Sequence, residues 1–265
     1  MKYKLLKVDL SQIECRILNT IARQNDVVEK FRAGVDLYSE LASQFYGFPV
    51  DKSKPAERGT GKQLELSCGY GAGGPTIVRT ARAGTYGPPV YLSDERGVEA
   101  RDLYRGTHRG VVKLWQDGSD MLWHLHNGAS LTWQLTPSFG LQIHDHRIFH
   151  PLDGMWLDFS TLTWDQDKRE WRHRVRNGWR RTYGPKLIEN IVQWLASYPI
   201  RKSIVQIRKL GLQVPLTVHD DVFTLISTER VELAKQVVTI MATPLSWLPE
   251  CPIAVEWELL DALDK

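Results

Sequence analysis

Two apolar, β-prone runs at opposite ends of the chain stop at carboxylates. Leu5, Leu6 and Val8 lead into Asp9, while Val214, Leu216 and Val218 lead into His219-Asp220-Asp221. Val222, Phe223, Leu225 and Ile226 lead out again, so the second place reads as strand, tight acidic turn, strand. A carboxylate at the end of a core strand has no packing reason to be there. Brought together, two strand-borne carboxylates make a hard-oxygen site for a divalent cation; singly, an Asp-Asp pair is ordinary turn chemistry.

Between them, Glu57-Arg-Gly-Thr-Gly-Lys-Gln-Leu-Glu-Leu-Ser-Cys-Gly-Tyr-Gly71 spaces Arg58, Lys62, Leu66 and Tyr70 four residues apart. On a helix over Lys54 to Tyr70 they share one face. Two cations near a helix N-terminus suit a polyphosphate, although an isolated Arg-x-x-x-Lys is far more often an ordinary solvated face. A Walker A loop fits poorly, with Ala56 in place of the first Gly and Gln63 after Gly61-Lys62.

In this order, Asp9-x-Ser-x-Ile-Glu14-x-Arg16, Arg58-x-x-x-Lys62-x-x-x-Leu66-x-x-x-Tyr70-Gly71 and Val218-His-Asp-Asp221 resemble motifs A, B and C of the family A DNA polymerases, the DNA polymerase I type. Tyr183-Gly-Pro-Lys-Leu-Ile-Glu-Asn-Ile-Val-Gln193 is similar to a stretch of the bacteriophage members, as are Asp36-Leu-Tyr-Ser39 and Trp247-Leu-Pro-Glu-Cys-Pro252. The resemblance implies an α+β right-hand fold, with an antiparallel palm sheet and an inserted helical fingers subdomain. Residues 1–30 and 140–265 would be palm and 31–139 fingers. Asp9 lies eight residues from Met1, so the same reading expects the thumb and 3′–5′ exonuclease domains on a separate polypeptide.

The implied chemistry is addition of dNTPs to a primer 3′-OH with two Mg2+ ions. Asp9, Asp220 and the carbonyl of Leu10 would be metal ligands, with Asp221 an accessory catalytic carboxylate. Arg58, Lys62, Leu66 and Tyr70 would form the dNTP site, and Glu14 would be the gate against a ribose 2′-OH. Gln193, His219 and Arg16 would contact primer–template DNA. Three departures stand out: Leu66 where the family usually has an aromatic ring, Asp221 for Glu, and Pro185 for Gly.

Other features bound this reading. Cations exceed acids by only 3, so nucleic-acid affinity must come from local placement of charge. Between Lys168 and Arg181 seven cations face the single acid Glu170, with Trp171 and Trp179 interleaved. That stretch suits a phosphate backbone or a solvated hairpin equally. Cys15, Cys68 and Cys251 lack paired spacing, and no run is long enough to span a membrane, so a cytoplasmic setting is expected, the host cytoplasm if the source is viral. His144-Asp-His146-Arg-Ile-Phe-His150 has a zinc-like spacing without cysteine partners. Two other classes of function remain open: an inactive palm that binds DNA or a partner, and a relative of single-subunit RNA polymerases.

The sequence also predicts helices over Ser11 to Phe31, Val35 to Tyr46, Lys186 to Tyr198 and Ile200 to Leu210. It predicts a structure-breaking Gly/Pro stretch from Gly71 to Pro89 and antiparallel strands from Leu141 to Trp179.

Overall fold

A computed structural model describes residues 3–150, 152 and 154–261; both ends of the expected 1–30 and 140–265 segments lie outside the described residues. Strand β1 (Tyr3–Leu10) is followed by helices α1 (Ile13–Ile21) and α2 (Asn25–Arg32). The single helix expected from Ser11 to Phe31 is broken because Arg23 takes a left-handed φ of 54°. Helix α3 (Leu37–Tyr46) starts where the Asp36 carboxylate accepts from the Ser39 N–H and ends at Gly47, whose φ is 75°.

Helix α4 (Pro55–Gln63) runs on as a π-helical turn, Leu64–Cys68. Helix α5 (Gly74–Arg82) stands inside the stretch expected to break structure, because Pro75 occupies a first-turn position, where a missing N–H costs nothing. Helices α6 (Asp94–Thr107) and α7 (Arg109–His126) follow.

Seven short strands come next: β2 (Leu131–Gln134), β3 (Gly140–His144), β4 (Arg147–Phe149), β5 (Trp156–Asp158), β6 (Thr163–Asp165), β7 (Glu170–Val175) and β8 (Gly178–Thr182). Helix α8 (Gly184–Lys209) is continuous through Pro199, where two helices were expected. Strands β9 (Gln213–Val218) and β10 (Asp221–Ser227), helix α9 (Leu233–Met241) and strand β11 (Val255–Leu260) complete the described chain. Every strand pairing is antiparallel, and the class is α+β.

The chain divides into two compact units, one of residues 1–17 with 192–265 and one of residues 18–191. The sheets of 131–182 belong to the second of these units, together with the helices before them. The first unit is built on one sheet in the order β11-β1-β10-β9. Along β1 and β10, Leu6, Val8, Leu10, Val222, Thr224 and Ile226 are buried, while the alternate residues Lys7, Asp9 and Asp221 are less so. That period of two points the acids away from the core.

The second unit holds the other sheets, β2-β3-β4-β5 and β6-β7-β8. Helices α3 and α4 approach closely at Gly61, where an added Cβ would lie 1.9 Å from the Tyr38 carbonyl oxygen. Gly61→Ala should therefore cost about 1–3 kcal/mol or more through overpacking. Gly106→Ala on α6, where an added Cβ meets nothing within 4 Å, should instead stabilise by about 0.5–1 kcal/mol. Urea unfolding of both variants checks the opposite signs.

Candidate functional site

Antiparallel register brings the acids of the first unit together. Asp9 on β1 is the Cα partner of Asp221 on β10 and of Glu256 on β11. Asp220 fills the two-residue turn between Val218 and Asp221 with His219, which is exposed at a φ of 54°. The Leu10 N–H points to the Asp220 carbonyl at 3.5 Å. The structure thus brings Asp9, Leu10, Asp220 and Asp221 to one end of one sheet.

It also adds Lys7, Glu256 and Glu258, which the sequence reading did not single out. Lys7 Nζ lies 3.6 Å from Asp221 and 3.7 Å from Glu258. With Asp9 and Trp257, these residues line a cleft of about 190 Å³. The signal for them was present: Glu256-Trp-Glu258 alternates like a strand placing both acids on one face.

Electrostatics mark Asp9 as the unusual member. Burial, then repulsion from Asp220, Asp221 and Glu256, pushes its carboxyl up to about 6 against the pull of Lys7. Its Oδ1 is buried and accepts no hydrogen bond among the described residues. Asp221 is also raised, by burial first, with Lys7 opposing and Asp220 and Glu258 adding repulsion. Carboxylates kept apart only by one lysine, with an orphaned oxygen facing them, form a donor set that suits a hard divalent cation. Among the described residues no group of three or more His, Cys, Asp and Glu side chains already converges in ligating geometry.

Glu14 stands in the first turn of α1, half-buried, with Arg16 two residues further on. The Arg16 guanidinium is 7% exposed and donates to the carbonyls of Ser11 (2.7 Å) and Pro252 (3.1 Å). Arg16 therefore ties the loop after β1 to the segment before β11, a bracing position rather than an open cationic one. Gln193 is exposed on α8.

The cationic face belongs to the second unit. Arg58, Lys62, Leu66 and Tyr70 are all half-buried, whereas Thr60, Gly61, Gln63, Leu64, Glu65, Cys68 and Gly69 between them are buried. The expected common face exists, but Leu66 lies in the π-helical turn and Tyr70 in the turn after it, not on one α-helix. Such π-turns recur at functional places because they re-aim side chains. Arg58 is already engaged: its Nε and Nη2 donate to the two Asp36 oxygens at 2.7 and 3.2 Å. Burial would raise Asp36, yet the Arg58 and Ser39 hydrogen bonds outweigh it and hold the carboxyl below its ordinary range. Lys62 makes no ion pair among the described residues.

The histidine cluster is a hairpin, not a ligand set. Asp145 and His146 form the turn between β3 and β4 with φ of 48° and 60°, and the left-handed region is one that Asp and His enter more readily than most residues. The rings have separate partners: His144 meets Ser130 Oγ at 2.7 Å, His146 the Leu125 carbonyl at 2.7 Å, and His150 accepts from Leu152 N–H at 3.2 Å.

A model of DNA polymerase family A matches residues 1–111. The DNA polymerase of Bacillus phage SP02 is 24% identical over 272 residues, covering 97% of this chain and 40% of the phage protein. DNA polymerase I of Mycobacterium bovis is 34% identical over 108 residues, 41% of this chain and 11% of that protein. The chain is similar to family A DNA polymerases, with the family match lying in residues 1–111 of its 265. Its fold is that of a solved family member, the POL domain of Pol1 from M. smegmatis in complex with DNA primer-template and dNTP. The TM-score is 0.63 at 19% identity, over 98% of this chain and 40% of that one. The chain thus spans well under half of both the phage and the mycobacterial polymerase. Among the described residues no helix is long and apolar enough to cross a membrane.

The raised Asp9 acid generates a prediction with a definite sign. A carboxyl whose folded value is about 6 binds its proton more tightly folded than unfolded, so it destabilises the fold as pH rises from about 4 to 6. Mg2+ should therefore raise the melting temperature at about pH 8 and do little at about pH 5, where Asp9 is protonated. Asp9→Asn should remove both effects, and thermal melts across pH with and without Mg2+ check this.

Proposed function

We propose that the chain is the palm and fingers part of a split family A DNA polymerase, performing template-directed addition of dNTPs to a primer 3′-OH. The observation that carries the reading is the opposed pair Asp9 and Asp221 with Asp220 in the adjoining turn, around a buried carboxylate oxygen that lacks a partner. The first unit acts as palm and α4 with its π-turn as part of the fingers.

Asp9, Asp220 and the Leu10 carbonyl would hold two Mg2+ ions, which when bound supply charge neutralisation for the attacking and leaving oxygens. The residues do the rest. Asp221 tunes the field at Asp9, and Lys7 limits the repulsion among the acids. Lys62 supplies a point charge to the triphosphate, while Arg58 exchanges its Asp36 partner for phosphate oxygens in the same bidentate geometry. Leu66 and Tyr70 line the sugar and base side of that face. Glu14 excludes a 2′-OH, Gln193 and His219 contact the primer terminus, and Arg16 braces the loop that leads into α1, on which Glu14 sits.

A thumb-bearing polypeptide, with a 3′–5′ exonuclease domain, would complete the enzyme. Support lies in apolar side chains left exposed on the first unit: Leu216 and Val218 along the edge strand β9, and Val205 on α8. The engaged state of Arg58 favours one other reading, an inactive palm that binds DNA or a partner.

Primer extension separates the two. Asp9→Asn and Asp220→Asn should each lower incorporation by about a thousandfold or more while leaving the fold intact; near-normal extension by both would sink the mechanism. Lys62→Ala should weaken dNTP use by about 1.5–3 kcal/mol, the worth of a charged hydrogen bond. Glu14→Ala should admit ribonucleotides. Single-turnover incorporation at varied dNTP and NTP concentrations reads both.

A further inference from the structure

The three-stranded sheet β6-β7-β8 has two unlike faces. On one, the cross-strand pair Trp164 and Trp171 packs with Trp123 of α7, with ring centroids 4.7 Å apart for Trp123 and Trp171 and 5.3 Å for Trp164 and Trp171. His126 adds a ring contact at 5.2 Å. These aromatics fix one side of the sheet to α7, so strand alternation turns the other side outward.

That outward face carries Arg172 opposite Arg181 and Arg174 opposite Trp179, with Arg176 at the hairpin tip. Directly opposed like charges weaken a sheet unless something compensates. Here Glu170 lies between them, 3.7 Å from Arg172 Nε and 3.3 Å from Arg181 Nε, and Asp165 takes Arg172 at 3.2 Å. The acids are thereby used up. Arg174 and Arg176 are exposed and form no ion pair among the described residues. Trp179 is 48% exposed beside them, and Arg181 lies 5.1 Å from the exposed Tyr183 ring. A face backed by the Trp164, Trp171 and Trp123 cluster, of which Trp171 is buried, with spare guanidinium groups flanking an open indole, has no packing role of its own.

We propose that this face binds single-stranded DNA, with Arg174 and Arg176 on the phosphates and Trp179 stacking an unpaired base. Charge complementarity selects a polyanion. The open aromatic face selects unpaired bases, since those of a duplex are already stacked. The platform rests on the sheet's own geometry; only its identification with unpaired template strand rests on the polymerase reading.

Fluorescence anisotropy of the full chain with labelled dT, rU and duplex probes of about 20 nucleotides tests it. For the dT probe, Arg174→Ala/Arg176→Ala should weaken binding about tenfold and flatten the slope of log affinity on log salt by about 1.4, or 0.7 per lost phosphate contact on a single strand. Trp179→Ala should weaken it about tenfold and Trp179→Phe should restore most of the loss, because stacking needs only a ring. Circular dichroism melts confirm that the variants fold. Asp9→Asn should bind dT as the native chain does, so loss of incorporation and loss of this site are read in separate assays. Unchanged dT binding in the arginine and tryptophan variants overturns the proposal. So does a duplex that binds as tightly as dT and is indifferent to Trp179, or a preference for rU over dT.

Discussion

The placement of β1 at the middle of its sheet, hydrogen-bonded to β10 on one side and β11 on the other, forces the chemistry at Asp9. Leu6, Val8 and Leu10 enter the core from β1, and Val222 and Ile226 enter it from β10. Burying each is worth about 1.5–3 kcal/mol. A slip of one residue would turn all of them outward, so the register is fixed by hydrophobic burial. Asp9 must then face Asp221 and Glu256 whatever that costs. At cross-strand Cβ spacing near 5 Å, repulsion of two charges at a protein surface is about 3 kcal/mol. The core outweighs it, and burial first, with this repulsion added, leaves the Asp9 carboxyl raised to about 6.

Parts of this were legible in the sequence because they follow period two. Val8-Asp9 and the Val218-His-Asp-Asp-Val222 turn fold as strand ends and hairpin, and the acids converge as their positions imply. The same rule applied to Val255-Glu-Trp-Glu258 would have found the remaining carboxylates. Helical period served less well. The four-residue spacing from Arg58 to Tyr70 names an open face, yet the π-turn at Leu64–Cys68 lies beyond what spacing encodes, since it depends on packing around the helix. Gln63 is one such contact, with its Nε2 donating to the Ile77 carbonyl at 2.7 Å. Continuity of α8 through Pro199 and the start of α5 at Pro75 show the limits of proline as punctuation. It starts a helix at no cost, and a long helix absorbs one lost hydrogen bond when its faces are buried.

Sequence motifs name residue types without saying what already holds them. Arg58 illustrates this, because Asp36 meets it with both oxygens and also caps α3 through Ser39. The carboxylate is thus a placeholder with the fork geometry of a phosphate. In the proposed dNTP site a ligand phosphate would displace it, and Asp36 would keep its contacts to Ser39. The exchange then costs less than stripping a lone buried pair, for which about 3–5 kcal/mol is typical. Arg16 is the opposite case: it donates to two main-chain carbonyls, those of Ser11 and Pro252, that no ligand can replace without moving the loop.

Histidine in this chain is used as much for backbone shape as for chemistry. His146 and His219 each sit in the turn of a hairpin with positive φ, where glycine or asparagine is commoner. His146 recovers the conformational cost through its 2.7 Å contact with the Leu125 carbonyl. His219 has no such anchor among the described residues and stands exposed beside Asp220. A left-handed residue costs about 1 kcal/mol or more unless its surroundings require it. The His-Asp-His spacing at 144–146 invited a metal reading for the same underlying reason: both residues of a tight hairpin turn must be types that tolerate left-handed backbone, and those types overlap with metal ligands.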